Sequence, residues 1–229
     1  MATLELRDEV DATHADESPS SPASLAAAIK EARDAIERSE ELNKRLDPEE
    51  EPFRSKYLGR EALKHAITKL EPHAEAGSDH ASSWVARLEW RMGAVCQDVE
   101  ETGRSVVHLS KALQIWRPRI LDYVQSLPLD QQGKSTAGEC DDEEDMTVAE
   151  LAAYCAKQAR KQAKRGLSIE SSESSKLEVV ELELEVVEAV SLLGIYHHNF
   201  EHHRQGLVLL KLAEALITGL ETNLRAASA

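Results

Sequence analysis

The chain has 229 residues, a formal net charge of -15, 41% hydrophobic residues and 4% aromatic residues. Alanine, leucine, glutamate and lysine are abundant while glycine and proline are few, which favours helices and argues against an all-β fold. The negative charge would repel a phosphate backbone, so we expect basic protein partners rather than nucleic acid. Three cysteines without a CxxC pair predict neither a disulfide framework nor a zinc site. We expect a cytoplasmic protein with no cofactor and no membrane partner, because no leader or membrane-spanning run is found.

Residues 1–22 predict a disordered tail, because their Ser-Pro-rich stretch has little apolar surface to bury. Residues 23–125 predict two helical hairpins from apolar side chains recurring every three or four residues. We expect Asp47-Pro48 to end the first helix and Pro72 to end the second. The four predicted helices run over about 23–46, 52–71, 80–97 and 102–123.

Residues 126–146 predict a flexible acidic linker, since the periodicity is lost and the segment ends in a self-repelling acidic run. The C-terminal helices follow over 147–224, including a second hairpin. Part of this region alternates polar and apolar residues like a strand, but its length favours a helix. The predicted helices run over about 147–165, 175–198 and 202–222.

Shifting the sequence against itself by 101 residues aligns two helical hairpins without a gap. The small residues that coincide are Gly93 with Gly194, Ser105 with Gly206, and Ala112 with Ala213. In tetratricopeptide (TPR) hairpins, small residues at such places let the helices approach and pack. We therefore predict a short TPR-like helical solenoid of antiparallel hairpins. Chance alignment of helices rich in alanine and leucine is the alternative.

The segment Leu42–Tyr57, followed by Arg60 and Leu63, resembles the N-terminal signature of the KIF-binding protein family. Residues 86–102 with 108–113 look like the next hairpin of that family, including its glycine and its Glu-Thr turn. Leu192–Tyr196 and the helix after it are similar to a further hairpin.

The resemblance implies a non-enzymatic helical solenoid that clasps kinesin motor domains and keeps them off microtubules, and hence a cytoskeleton-associated protein. Two features depart from the family. The acidic segment 126–146 looks like an insertion, and the family continues into a C-terminal half that we do not find here. We expect either a reduced homologue or a truncated gene product, so contacts of that half are not carried over.

A generic TPR adaptor is the alternative function. Such an adaptor would hold a partner's carboxylates between converging basic side chains, for which Arg87, Arg91 and Lys111 are the candidates. Trp84, Trp90 and Trp116 lie at helical spacing, as core residues do. Trp90 lies off the main apolar stripe, so it is the candidate for a peptide-binding groove.

The cluster His197-His198-Asn199-Phe200-Glu201-His202-His203 could serve a metal-dependent enzyme, but a solvated hairpin turn is the simpler interpretation. The basic residues Lys157, Arg160, Lys161, Lys164 and Arg165 predict a solvated helix face. We find no phosphate-binding loop, nucleophile elbow or paired catalytic carboxylates. We therefore predict no catalytic, cofactor or metal site, and the sequence leaves the oligomeric state open.

Overall fold

The computed structural model describes residues 21–127, 148–158, 173–200 and 202–227. Every regular element in these ranges is an α-helix, which confirms the predicted all-α class. The helices are α1 (Pro22–Asn43), α2 (Arg54–Glu75), α3 (Asp79–Asp98), α4 (Thr102–Trp116), α5 (Pro118–Ser126), α6 (148–158), α7 (Glu173–Asn199) and α8 (His203–Ala227). Predictions for the tail over 1–20, for the linker over 128–146 and for the basic residues Arg160 to Arg165 lie outside the described residues.

Helix α1 packs against α2 through small residues. Ser21 caps α1 by accepting a hydrogen bond from the Ser24 backbone N–H at 3.1 Å. Gly59 of α2 lies close to Ser39 of α1, since a methyl group at Gly59 would be 3.2 Å from the Ser39 hydroxyl. The buried residues of α1 recur every three or four positions and are Ala28, Ala32, Ala35, Ser39 and Leu42.

The turn between α1 and α2 differs from the prediction. Helix α1 ends at Asn43, and Leu46 is fully exposed rather than part of the apolar stripe. Asp47 instead serves the start of α2, because its carboxylate accepts hydrogen bonds from the Ser55 N–H at 2.9 Å and the Ser55 hydroxyl at 2.7 Å. This satisfies one of the amides left free at a helix start.

Pro72 does not end α2, contrary to the prediction, and the helix continues to Glu75. The missing N–H of a proline removes one helical hydrogen bond, which tertiary contacts of the last turn offset here. His73 is buried, with its Nε2 3.5 Å from the Ser24 hydroxyl, and Ala74 packs against the core formed with α1.

Helix α3 separates two hydrophobic cores. The first is built from α1, α2 and α3 and includes the fully buried Leu63, Leu70 and Leu88. The second lies on the other side of α3, where Ala86 and Trp90 join residues of α4 to α8. Because α3 contributes to both, it links the N-terminal hairpin to the rest of the described chain.

A break between α4 and α5 replaces the single helix predicted over 102–123. Arg117 has φ -147° and ψ 62°, and Pro118 opens α5. A residue before proline is disfavoured in the helical conformation, which explains the break. The break turns Arg117 inward, where it is fully buried, pairs with Glu183 of α7 and donates to the Trp116 carbonyl oxygen at 2.7 Å.

The helices pack as consecutive pairs, α1 with α2, α3 with α4, and α7 with α8. The second helix of one pair packs on the next pair, since α2 contacts α3 and α4 contacts α7. The first helices also touch one another, α1 with α3 and α3 with α7. Among the described helices, none combines the length and apolar character needed to span a membrane.

Candidate protein-interaction face

Side chains from the first helix of each pair meet across an exposed surface, which we call the α1–α3–α7 face. Two arginines of α3 occupy its middle, with carboxylates of α1 and α7 on either side. Its residues are Arg33, Glu40, Trp84, Arg87, Arg91, Glu181, Glu185 and Glu188.

Arg87 ties α3 to α7. Its Nε lies 2.8 Å from Glu185 Oε2, and one terminal nitrogen lies 3.6 Å from Glu181 Oε2. The guanidinium also stacks 5.1 Å above the Trp84 ring, which Arg33 of α1 approaches at 5.6 Å. Burial raises the pKa of Glu185, and Arg87 opposes that shift. Arg87 is therefore a structural cation that a carboxylate already neutralises.

Arg91 ties α3 to α1. Its terminal nitrogen lies 3.5 Å from Glu40 Oε1, and its guanidinium is 5.9 Å from the Trp90 ring. On its other side is Glu188 of α7. Burial raises the pKa of Glu188; Arg91 opposes this shift and Asp98 adds to it.

The two central arginines of the face lie deeper than Glu40 and Glu181, whereas Arg33 is exposed and Glu185 is largely buried. The side chains of Arg87 and Arg91 are 15% and 17% exposed, whereas those of Glu181 and Glu40 are 52% and 44% exposed. At the centre of the face, Glu40 and Glu181 therefore stand outside Arg87 and Arg91.

The predicted convergence of Arg87, Arg91 and Lys111 on a partner's carboxylate is wrong. Arg87 and Arg91 are each paired with glutamates of neighbouring helices. Lys111 instead pairs with Glu89, which lies two positions after Arg87 and therefore about 200° around the helix. The three cations do not face a common groove.

Glu89 is a buried carboxylate on the α4 side of α3. Its Oε2 lies 2.5 Å from His108 Nδ1, and its Oε1 accepts a hydrogen bond from Lys111 at 3.2 Å. Burial alone would raise the pKa of Glu89, but the contacts with His108 and Lys111 outweigh it and lower that pKa. The folded state therefore favours the ionised carboxylate.

Replacing Glu89 with glutamine is expected to reduce the pH dependence of stability. A lowered carboxyl pKa stabilises the fold fully above its ordinary value of 4.5, and this contribution is lost as the pH falls through the folded-state pKa. We expect the variant to be about 1–2 kcal/mol less stable at neutral pH and the difference to shrink towards pH of about 3. Urea unfolding across this range, with the exposed Glu61→Gln as control, checks the prediction. Parallel curves for wild type and E89Q would contradict it.

Trp90 does not line a groove, contrary to the prediction. It is 7% exposed and belongs to the second core, with Leu109 and Leu113 of α4. The physical reason is that α1, α2, α4 and α7 all contact α3, so even a position off its main apolar stripe is covered.

The small residues of the 101-residue match lie where the paired helices meet. A methyl group at Gly93 would be 2.7 Å from Leu109 Cγ, and one at Gly194 would be 3.0 Å from Leu210 Cγ. The two leucines are themselves matched by the same shift. Gly206 approaches the backbone of α7 at Gly194 and His198. The remaining matched residues, Ser105, Ala112 and Ala213, are buried.

Tyr57 and Arg60, at the end of the segment that carries the family resemblance, contact the turn between α3 and α4. Arg60 Nη1 donates to Glu101 Oε2 at 2.6 Å, and the Tyr57 hydroxyl donates to Glu101 Oε1 at 3.3 Å. Arg104 also contacts Glu101, at 2.9 Å. Sequence reasoning did not predict this cluster, although Tyr57, Arg60 and Glu101 come from the two segments that carry the family resemblance. The cluster fixes the first hairpin on the second.

The histidines of the α7–α8 turn form two ring contacts, His197 with His202 at 5.6 Å and His198 with His203 at 5.1 Å between centroids. Burial and then His202 lower the pKa of His197, which favours its neutral form. Within the described residues, no three His, Cys, Asp or Glu side chains are grouped as metal ligands.

The α1–α3–α7 face combines a buried aromatic ring with paired charges. Trp84 is 8% exposed and belongs to the first core; Arg87 and Arg33 cover its ring, and Glu40 and Glu181 are exposed nearby. No protein-family model, curated protein or solved structure matches this chain.

Proposed function

We propose that this chain is a non-enzymatic protein-binding scaffold, built as a short TPR-like solenoid, that binds the basic microtubule-binding surface of a kinesin motor domain. The pattern of contacts between successive helices supports the solenoid, because stacked repeats require each hairpin to pack on the next. The resemblance of Leu42–Tyr57 to the KIF-binding protein family supports the partner. By occupying the motor's basic surface, the scaffold would keep it from tubulin.

The observation that carries the proposal is the difference in exposure between the charged side chains of the α1–α3–α7 face. Glu40 and Glu181 stand outside the more deeply placed Arg87 and Arg91, on a chain whose net charge is -15. A basic motor surface is attracted to such a face, and the attraction speeds encounter. The same argument disfavours an adaptor that holds carboxylate-terminated peptides.

Reversing the outer charges of the face is expected to weaken motor binding. The double variant Glu40→Lys with Glu181→Lys should raise Kd about tenfold or more, which corresponds to about 1.4 kcal/mol. The matched control, Glu61→Lys with Glu75→Lys, changes the net charge equally at exposed positions of α2. Fluorescence anisotropy with a panel of purified kinesin motor domains, at low and at physiological salt, measures both.

Two results would count against the proposal. One is that no motor domain binds even at low ionic strength, where charge attraction is strongest. The other is equal weakening by the control pair, which would indicate attraction to net charge alone. Microtubule co-sedimentation adds a functional measurement, since the chain should release bound motors into the supernatant.

A further inference from the structure

Five large apolar side chains are exposed on the α7–α8 hairpin, two on α7 and three on α8. Leu184 and Ile195 of α7 are eleven positions apart, which places them within about 20° around the helix. Leu207, Ile217 and Leu224 lie within about 100° on α8. We call these residues the α7–α8 apolar strip, and their exposures are 53%, 44%, 42%, 43% and 48% in chain order.

Leu184 and Leu207 point away from the buried sides of their helices. Val186 is fully buried, and Leu184, two positions earlier, lies about 200° around α7 from it. On α8, Gln205 donates to the Val124 carbonyl oxygen of α5 at 3.2 Å. Leu207, two positions later, lies about 200° from that contact. None of the described helices covers this side of the hairpin.

The preceding hairpin shows how the side that matches the strip is packed. The 101-residue shift places the strip on residues of α3, α4 and α5 that are buried or half-buried, namely Ser83, Ala94, Val106, Trp116 and Tyr123. Trp116 belongs to the second core, and Val106 and Tyr123 pack against it. That core also contains Val186 and Val190 of α7. The matched side of the earlier hairpin thus buries apolar residues against a helix.

The charges around the strip favour one class of binding partner over others. Glu181 and Glu188 flank it on α7. On α8, Glu214 and Glu221 lie among its residues with Arg225, which contacts Glu221 at 3.4 Å, and Arg204 and Lys211 lie about one turn from Leu207. A second copy of this chain would bring the same acids and a net charge of -15. Residues 1–20 of this chain are themselves acidic. Both would be repelled, whereas lysines and arginines beside an apolar stripe would be attracted.

We infer that the α7–α8 apolar strip binds one amphipathic helix of a partner protein, with leucine or isoleucine on its apolar side and lysine or arginine on both flanks. Such a helix lays its apolar side along the strip and sets its cations against the flanking glutamates. This inference goes beyond the proposed function. The apolar residues of the strip lie outside the α1–α3–α7 face, although Glu181 and Glu188 border both surfaces, and the inference stands whether or not kinesin motors bind that face.

The test uses a synthetic helical peptide of about 21 residues with leucine at its core positions and lysine on the flanks, and a matched peptide with glutamate flanks. Fluorescence anisotropy with the full chain should show binding of the lysine peptide only. The double variant Ile217→Glu with Leu224→Glu should raise its Kd about tenfold or more, although the added charge favours a cationic peptide. The control, Val107→Glu with Ile115→Glu, adds the same charge at exposed apolar positions of α4 and should leave Kd unchanged.

Several results would overturn the inference. Unchanged binding of the lysine peptide by I217E/L224E would show attraction to charge alone. Absence of lysine-peptide binding to the wild-type chain would rule out this class of occupant. A wild-type dimer in sedimentation, dissociated by I217E/L224E, would make the strip a self-association surface. Circular dichroism checks that both variants stay folded, and motor binding by the wild type is measured separately.

Discussion

Replacing Glu183 with leucine is expected to lower the free energy of unfolding by about 3–5 kcal/mol. Arg117 is fully buried and Glu183 is 5% exposed, so the pair is shielded from water on all sides. Removing one partner leaves the guanidinium charged and buried without this carboxylate, a situation far costlier than the pair itself. Burial also raises the pKa of Glu183 against the influence of Arg117, as expected for a desolvated acid.

The matched double variant separates charge from packing. Arg117→Met with Glu183→Leu removes both charges and keeps apolar volume, so its stability should return to within about 1–2 kcal/mol of the wild type. Urea unfolding measures all three proteins. A cost below about 1 kcal/mol for Glu183→Leu alone would contradict the prediction, because it would mean that Arg117 reaches solvent without opening the core.

Cys155 of α6 gives an independent readout of the same pair. Burial raises the pKa of its thiol to about 11; Arg117 opposes this shift, and Glu183 adds to it. The thiol is therefore protonated and slow to react at neutral pH in the wild type. If Glu183→Leu loosens the packing around Arg117, thiol labelling of Cys155 should become faster while that of Cys96, in the α3 segment, should not.

The apolar periodicity of the sequence predicted the helices, but it did not predict the helix ends that depend on tertiary contacts. Apolar spacing continues through Leu113 and Trp116, so it predicted one helix across Arg117-Pro118. The proline was the available signal for a break there. Pro72 also indicated a helix end, but α2 continues past it, because packing of His73 stabilises the last turn. Only the neighbours of each proline distinguish the two cases.

The candidate site, too, could be predicted only in part from the sequence. Arg87 and Arg91 are one turn apart, so their common side of α3 could be predicted from the sequence. Their partners could not, because Glu40 and Glu185 come from α1 and α7, which are distant in the chain. Without those carboxylates the arginines looked free to bind a peptide terminus. Trp90 is similar, since its burial depends on a core that several later helices complete.

Replacing Gly206 with alanine is expected to destabilise the protein by about 1–3 kcal/mol. The added methyl group would lie 2.7 Å from the His198 backbone nitrogen and 2.9 Å from the Gly194 carbonyl oxygen. Both atoms belong to the backbone of α7, so the helices themselves must separate to admit it. The matched Ser105 carries a Cβ in the earlier hairpin, which shows that the closeness is particular to α7 and α8.

Gly219 of the same helix provides the control. A methyl group there would have no neighbour within 4 Å, and alanine is a better helix former than glycine, so Gly219→Ala should stabilise the protein by about 0.5–1 kcal/mol. The two variants make the same chemical change in α8 with opposite expected signs. Thermal or urea unfolding distinguishes them directly. If Gly206→Ala were as stable as Gly219→Ala, helix propensity alone would govern both positions, and the close approach of α7 and α8 would not limit stability.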